Sequence, residues 1–362
     1  MRPQTVRRQA VRCQAGKRSH RLAVVAMAVT TALLAGCAPD TLTKQPWVEA
    51  EVTFTADGLT LHGTYRHRQA GPAGPAALLI SESGHTDRNG DNNVAGPIGN
   101  MRQIAEYLSE HDVATLRYDK VGTGATGLGP YADRPADVGS AVYTAGAKAA
   151  IRFLAGKNQT DGHRISVYAL GEGTMHAMAL ADDTSAGAPA VHSLGLLQPL
   201  PGRYLDLITG RVESDVAAAV RSGAKTQQQG DDVVAAWRVA VAQARASGTV
   251  ASNLPDGLGA ILNPSNVKAV VEADAIDPVA LAERVPGGTP VLVTCSDSDA
   301  QSNCRDVKPL ADALARTALQ LVQLTGVNHV LHDDPTDNVA NYAKKAPLSP
   351  QLVVALDRFV TK

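Results

Sequence analysis

The sequence predicts an α/β fold: a mostly parallel central sheet with helices on both faces and a helical insertion in its second half. Three observations predict it. Short apolar runs alternate with amphipathic runs along most of the chain, the order expected of strand–helix–strand units. One run, Ala76-Ala77-Leu78-Leu79-Ile80, is apolar at every position, as in a strand covered on both faces. From about Pro201 to Pro286 the rhythm stops and helical periods take over.

Taken in order, Glu51–Thr55 and Leu59–His67 read as strands joined at Asp57-Gly58, a strong hairpin signal. This antiparallel hairpin is expected at one edge of the sheet. After the break at Gly71-Pro72-Ala73-Gly74-Pro75 comes the Ala76–Ile80 strand, then a glycine- and asparagine-rich loop to Asn100. Met101–His111 reads as a helix, with Ile104 and Leu108 four apart, and Val113–Tyr118 as a strand. The alternation continues through a helix at Ser140–Leu154, a strand at Ile165–Leu170, a helix at Glu172–Ala181 and a strand at Ser193–Gln198. The helical insertion holds Asp215–Ser222, Asp231–Ser247 and Asn266–Ala273. Strands at Pro290–Thr294 and Gln320–Leu324 flank a helix at Val307–Ala318, and Pro350–Val360 is a terminal helix. Residues 51–200 and 287–362 are thus the expected body, and 201–286 a helical cap over one end of the sheet. Within the cap, Val233, Val234, Trp237, Val241 and Ala244 form a helical stripe expected to pack on the body.

The 362 residues carry a formal net charge of −1 and only 4 % aromatics. No field of one sign covers the chain and no stacking platform is evident, so a nucleic-acid partner is not expected. The charge is uneven, however. Residues 1–21 contain seven Lys and Arg residues and no acid, and the apolar run Leu22–Ala35 follows. That run is shorter than the roughly 20 residues a permanent transmembrane helix needs. A basic start and a short apolar core make a secretory signal over residues 1–36. Its end, Leu34-Ala35-Gly36-Cys37, resembles the bacterial lipoprotein signal. The resemblance implies acylation (palmitate or a similar chain) at Cys37, a tether over 37–50, and an exported protein anchored to the cell membrane through the lipid bilayer. Outside the cytoplasm the remaining cysteines, Cys295 and Cys304, are expected to form a disulfide.

In open α/β sheets ligands lie beyond the carboxyl ends of the strands, so the loops there carry the chemistry. The strand at Ile165–Leu170 runs through Gly171-Glu172-Gly173 into a helix, the setting of a nucleophile elbow, G-x-S-x-G. Here the five positions read Ala169-Leu170-Gly171-Glu172-Gly173, with Gly171 where the serine belongs. Asp299 follows the Pro290–Thr294 strand, suited to the acid of a triad, and His329 follows the Gln320–Leu324 strand, suited to the histidine. Ser81 and Ser83 lie in the loop expected to supply one oxyanion N–H, taken at Ser83, and Glu172 supplies the other.

These segments resemble the α/β-hydrolase superfamily, nearest to bacterial esterases of the serine-aminopeptidase-like group. The resemblance is carried by Ser81-Glu82-Ser83-Gly84-His85-Thr86-Asp87-Arg88-Asn89-Gly90-Asp91, similar to that group's S-G-S-G-P-x-D-R-D-G-N loop. Leu116-Arg117-Tyr118-Asp119-Lys120-Val121-Gly122-Thr123-Gly124 is similar to its L-R-Y-D-K-R-G-x-G, and Gly171-Glu172-Gly173 falls on the S-E-G of its G-H-S-E-G elbow. Asp277-Pro278 ahead of Pro290–Val293 also matches. The departures are Leu170-Gly171 for His-Ser, Glu82 and His85 for the Gly and Pro of the oxyanion loop, and Val121 for an arginine. The resemblance implies an α/β-hydrolase fold and carboxylic-ester or peptide chemistry. Gly171 has no side chain and forms no acyl-enzyme.

The favoured expectation is therefore a degenerate hydrolase in the envelope that binds a lipid, an acyl compound or a partner. The alternative is an active ester hydrolase or peptidase that uses a substitute nucleophile, such as Ser83, or an activated water; a third is a structural protein with no ligand. His85, Asp87, Asp91 and Asp119 fit no metal-ligand spacing, so neither metal nor cofactor is expected, and Asp87-Arg88 is read as an internal ion pair. Gly122 and Gly124 read as a turn, and His332-Asp333-Asp334 as solvated surface.

Overall fold

The structure is a computed structural model that describes residues 46–360. The expected signal segment, the acylated Cys37 and the tether up to residue 45 lie outside the described residues. The remainder of the expected tether is strand instead: β1 (Trp47–Ala56) already pairs with β2 (Leu59–Arg68) from Trp47 onwards. Alternation in Trp47-Val48-Glu49-Ala50 explains this. Trp47 lies under the Arg68 guanidinium, while Glu49 reaches Arg66 and Arg117. The turn between the strands has Asp57 and Gly58 both at positive φ (47° and 83°), the geometry that lets a two-residue loop follow the twist of its strands.

The remaining elements are β3 (Gly74–Ile80), α1 (Asn100–Glu110), β4 (Ala114–Tyr118), α2 (Ser140–Ala155), β5 (Thr160–Gly171), α3 (Gly173–Ala181) and β6 (Ser193–Pro199). Then come α4 (Tyr204–Arg221), α5 (Gln227–Ser247), α6 (Val267–Ala275), α7 (Pro278–Ala282), β7 (Pro290–Ser296), α8 (Cys304–Ala313), β8 (Ala318–Leu324), α9 (Val339–Tyr342) and α10 (Pro350–Val360). The sheet order is β1-β2-β4-β3-β5-β6-β7-β8. The β1–β2 and β2–β4 pairings are antiparallel, and β3 to β8 run parallel, so their carboxyl ends gather at one edge. The helix expected at Val307–Ala318 begins and ends earlier. Asn303 caps it by accepting from the Arg305 amide, and Ala318 already belongs to β8.

Side-chain alternation divides β3 between two cores. Ala76, Leu78 and Ile80 join a cluster with Ala147 and Ile151 of α2 and Met175 of α3, whereas Ala77 and Leu79 join one with Ile104 of α1 and Leu356 of α10. This is why the run is apolar throughout. Each fully buried leucine there contributes roughly 1.5–3 kcal/mol through burial.

The helices α4 to α7 lie between β6 and β7. The Trp237 stripe packs chiefly within this block, among Leu205, Val212 and Val216 of α4 and Val267 and Val270 of α6, rather than on the sheet body. The expectation of packing on the body is corrected here: α5 completes the helical block's own core. The Trp237 indole N–H donates to Thr209. A capping box at Thr226 and Gln229 starts α5. The block is tied to the body where Glu272 accepts from the Ala141 amide and Lys268 donates to the Asp137 carbonyl.

Candidate functional site

Strand β5 ends at Gly171 with φ +54°, and α3 begins two residues later. A left-handed residue between a buried strand and a helix is the sharp turn that presents a side chain above an α/β sheet. Here nothing is presented. A Cβ on Gly171 would lie 3.2 Å from His329 Nε2 and 3.3 Å from the Glu82 Cβ. A Cβ on Gly173 would lie 2.8 Å from the carbonyl oxygens of both Ile80 and Ser81. Glycine at 173 therefore permits the chain leaving β3 to pass hard against the elbow.

The loops after β7 and β8 bring the acid and the histidine together. His329 Nδ1 lies 2.8 Å from Asp299 Oδ2, and both residues are buried. The other oxygen of Asp299 accepts from the amides of Gln301 and Ser302. Cys295 and Cys304 close this loop with a disulfide, their Cα atoms 4.9 Å apart. Asp337 ties the two loops to each other: it accepts from the His329 amide, the Ala300 amide and the Tyr342 hydroxyl. Gln198, at the end of β6, donates to the Asn328 carbonyl and fixes the other flank of the histidine loop.

The second ring nitrogen of His329 faces no hydroxyl. It lies 2.9 Å from Glu82 Oε2, so His329 is held between two carboxylates. Burial by itself disfavours a charged ring. Asp299 on one side and Glu82 on the other outweigh it and hold the imidazole pKa well above its usual value near 6.5. The two carboxylates thus favour the protonated ring, with an N–H directed at each, and a ring in that state does not accept a proton from a nucleophile.

Glu82 is fixed through its own backbone. Lys120, buried two residues beyond β4, donates to the carbonyls of Ser81 and Glu82. The Ser81 hydroxyl donates to the Thr86 carbonyl, and the Thr86 hydroxyl to the Ser83 carbonyl. Arg88 does not pair with Asp87, as the sequence reading expects. It pairs with Asp119 and Glu51, because the loop folds back onto β4 and the edge hairpin, while Asp87 accepts from the Asn89 and Asp91 amides. Gly122 and Gly124 form a turn at positive φ, and a Cβ on Gly124 would collide with the Asp119 carboxylate.

Charges around the floor of the site perturb one another. Burial lowers the Lys120 pKa, which Glu172 and Glu82 partly restore, and burial raises that of Glu172. Burial also brings His176 down to about 3, leaving it neutral beside the Thr144 hydroxyl. Tyr143 and Tyr204 are both pushed up to about 12, by burial first and then by the Glu172 charge. Tyr204 opens α4, so the helical block reaches this floor.

The structure thus brings Gly171, Asp299 and His329 together. Ser83 sits one residue beyond Glu82, and Glu172 immediately follows Gly171. Thr174 points away and donates to the Gly171 carbonyl. His332 is buried rather than solvated: its amide donates to Asn328, and its carbonyl accepts from the Asn328 amide, so the turn draws it inward. The sequence reading missed two residues. Asp337 has no motif signal. Glu82 does, as a charged residue where the resembling loop has glycine, but its approach to His329 is a long-range event no local pattern reports.

Solved structures share this architecture. The esterase Pf2001 of Pyrococcus furiosus matches at TM-score 0.54 and 14 % identity, over 87 % of this chain and 90 % of that one. GrgF, an α/β-hydrolase from Penicillium sp. sh18, matches at 0.51 and 16 %, over 88 % and 100 %. Est1E of Butyrivibrio proteoclasticus, in a structure with ferulic acid bound, matches at 0.51 and 15 %, over 86 % and 100 %. No protein-family model and no curated protein matches the sequence. The chain has the α/β-hydrolase fold, as the sequence predicts; at such identities the likeness extends to the fold alone.

Proposed function

We propose that this chain is an exported, lipid-anchored envelope protein whose α/β-hydrolase domain has lost serine-type hydrolysis and binds a lipid, an acyl compound or a partner instead. The observation that carries the reading is Gly171 at the elbow, facing His329 with no side chain of its own. Acyl transfer needs an oxygen or sulfur at that point, deprotonated by the histidine. Asp299 and His329 retain the acid and histidine positions, and the backbone around Ser83 and Glu172 the oxyanion positions, in a scaffold that no longer holds the attacking group. The solved esterases of the same fold support a hydrolytic origin for the site. The basic start, short apolar run and Cys37 support the anchor.

The test is hydrolysis of short- and medium-chain p-nitrophenyl esters by the full chain. No turnover above buffer is expected. Turnover that disappears in His329→Ala would mean that the protein is a working hydrolase with a substitute nucleophile or an activated water, and would overturn the reading. The anchor is checked separately with a clickable fatty acid in a bacterial host: label is expected on the wild type and absent from Cys37→Ala. Equal labelling of both would remove Cys37 as the acylated residue.

A further inference from the structure

We infer that Glu82 occupies the seat of the missing nucleophile as a built-in partner of His329, so that Glu82 and Gly171 act as one unit and replacing Gly171 alone does not restore hydrolysis. The inference rests on the reading above and goes beyond it: it assigns the inactive state to a residue on a different loop from the elbow.

Three features carry it. The first is position. Glu82 Oε2 lies 2.9 Å from His329 Nε2, and the Glu82 Cβ lies 3.3 Å from where a side chain at 171 would begin. A hydroxyl introduced at the elbow meets a histidine whose second nitrogen is already engaged. The second is protonation. A serine donates its proton to an unprotonated Nε2, whereas here that nitrogen lies 2.9 Å from a carboxylate oxygen, a contact that favours a hydrogen on the ring. The third is charge. Glu82 belongs to the loop expected to stabilise a developing oxyanion, and a carboxylate there opposes the charge that acyl transfer builds up.

The contact is also held firmly. Only 15 % of the Glu82 side chain is exposed, and its carbonyl is gripped by Lys120. Gly173 lets the segment pass against the elbow. Glu82 thus acts through His329, on the ring nitrogen that a serine at the elbow would need.

Four full-length proteins test the inference: wild type, Gly171→Ser, Glu82→Gly and the double variant. Each is measured for p-nitrophenyl butyrate hydrolysis and for covalent labelling at position 171 by a fluorophosphonate. The double variant is expected to exceed wild type by at least about 100-fold, the scale on which a single oxyanion-hole group acts. It should take the label, while both single variants stay near the wild-type background. A second measurement follows the His329 ring by NMR against pH. Its midpoint is expected well above 6.5 in the wild type and lower by about one unit or more in Glu82→Gln.

Activity of Gly171→Ser equal to that of the double variant would overturn the inference, because Glu82 would then be no obstacle. A folded double variant as inert as wild type would do the same. Should the double variant not fold, the NMR midpoint decides: an unchanged midpoint in Glu82→Gln overturns the inference and a lowered one upholds it. Wild-type turnover that depends on His329 is a different result, since it removes the reading on which the inference rests.

Discussion

The two halves of the site are kept in different condition. On the acid–histidine side, Asp299 receives two backbone amides, its loop is closed by the Cys295–Cys304 disulfide, and Asp337 ties that loop to His329 and Tyr342. On the nucleophile side the left-handed elbow is made by Gly171, which carries no side chain, and Glu82 approaches His329 from the neighbouring loop. A scaffold that had simply decayed would be expected to lose order on both sides. Here the support around the histidine is well ordered, while the elbow holds glycine and the second ring nitrogen faces the Glu82 carboxylate. The comparison teaches that an Asp–His pair at the right strand ends reports the fold and its support, and says little about catalysis until the partner of the second ring nitrogen is known.

If the acid–histidine side is a structural support, breaking it should have the largest effect. Asp299→Ala leaves a buried imidazolium without one of its two carboxylates, and removing one partner of a buried pair costs about 3–5 kcal/mol. A urea titration followed by circular dichroism should show a loss of that order relative to wild type. A loss below about 1 kcal/mol, within the range of an exposed ion pair, would mean that this half of the site is as dispensable as the other, and the contrast would fail.

How much of this was legible in the sequence differs between the two halves in the same way. Asp299 and His329 could be placed because each lies in the loop after a strand, and a parallel sheet brings strand ends together. The helical block and the Asp57-Gly58 turn were legible for similarly local reasons, in periodicity and turn chemistry. The disulfide followed from the expected compartment and the count of remaining cysteines. What escaped depends on loops folding back. Arg88 prefers Asp119 and Glu51 to its neighbour Asp87, and His332 turns inward onto Asn328. The Trp237 stripe is equally compatible with a sheet or with sister helices, because periodicity says which face is buried and not what covers it. Glu82 was visible as a departure from a motif, yet its partner lies 247 positions away in a loop whose path no spacing encodes.

A smaller and more specific effect separates the halves by pH. In the folded protein the His329 pKa is raised well above 6.5, against burial, by Asp299 and Glu82. Below pH 6.5 the ring is protonated in both folded and unfolded chains, and the stabilisation from its two ion pairs is fully present. Between 6.5 and the folded value only the folded chain keeps the proton, so stability falls as pH rises, by about 1.4 kcal/mol per unit for one proton. Above the folded value this contribution is gone. Glu172, whose pKa burial raises, bends stability the same way from 4.5 upward, and Lys120, whose pKa burial lowers, bends it the opposite way towards 10.5. The difference between wild type and Glu82→Gln isolates His329, because the variant loses one of the two carboxylates that hold the proton. The variant should therefore be less stable than wild type by about 1.5 kcal/mol at pH 6, the value of a hydrogen bond to a charged group. The two stability curves should converge as pH rises and the wild-type ring loses its proton. Parallel curves across that range would show that Glu82 does not govern the charge on His329, and that the nucleophile side of the site is merely vacant rather than refilled.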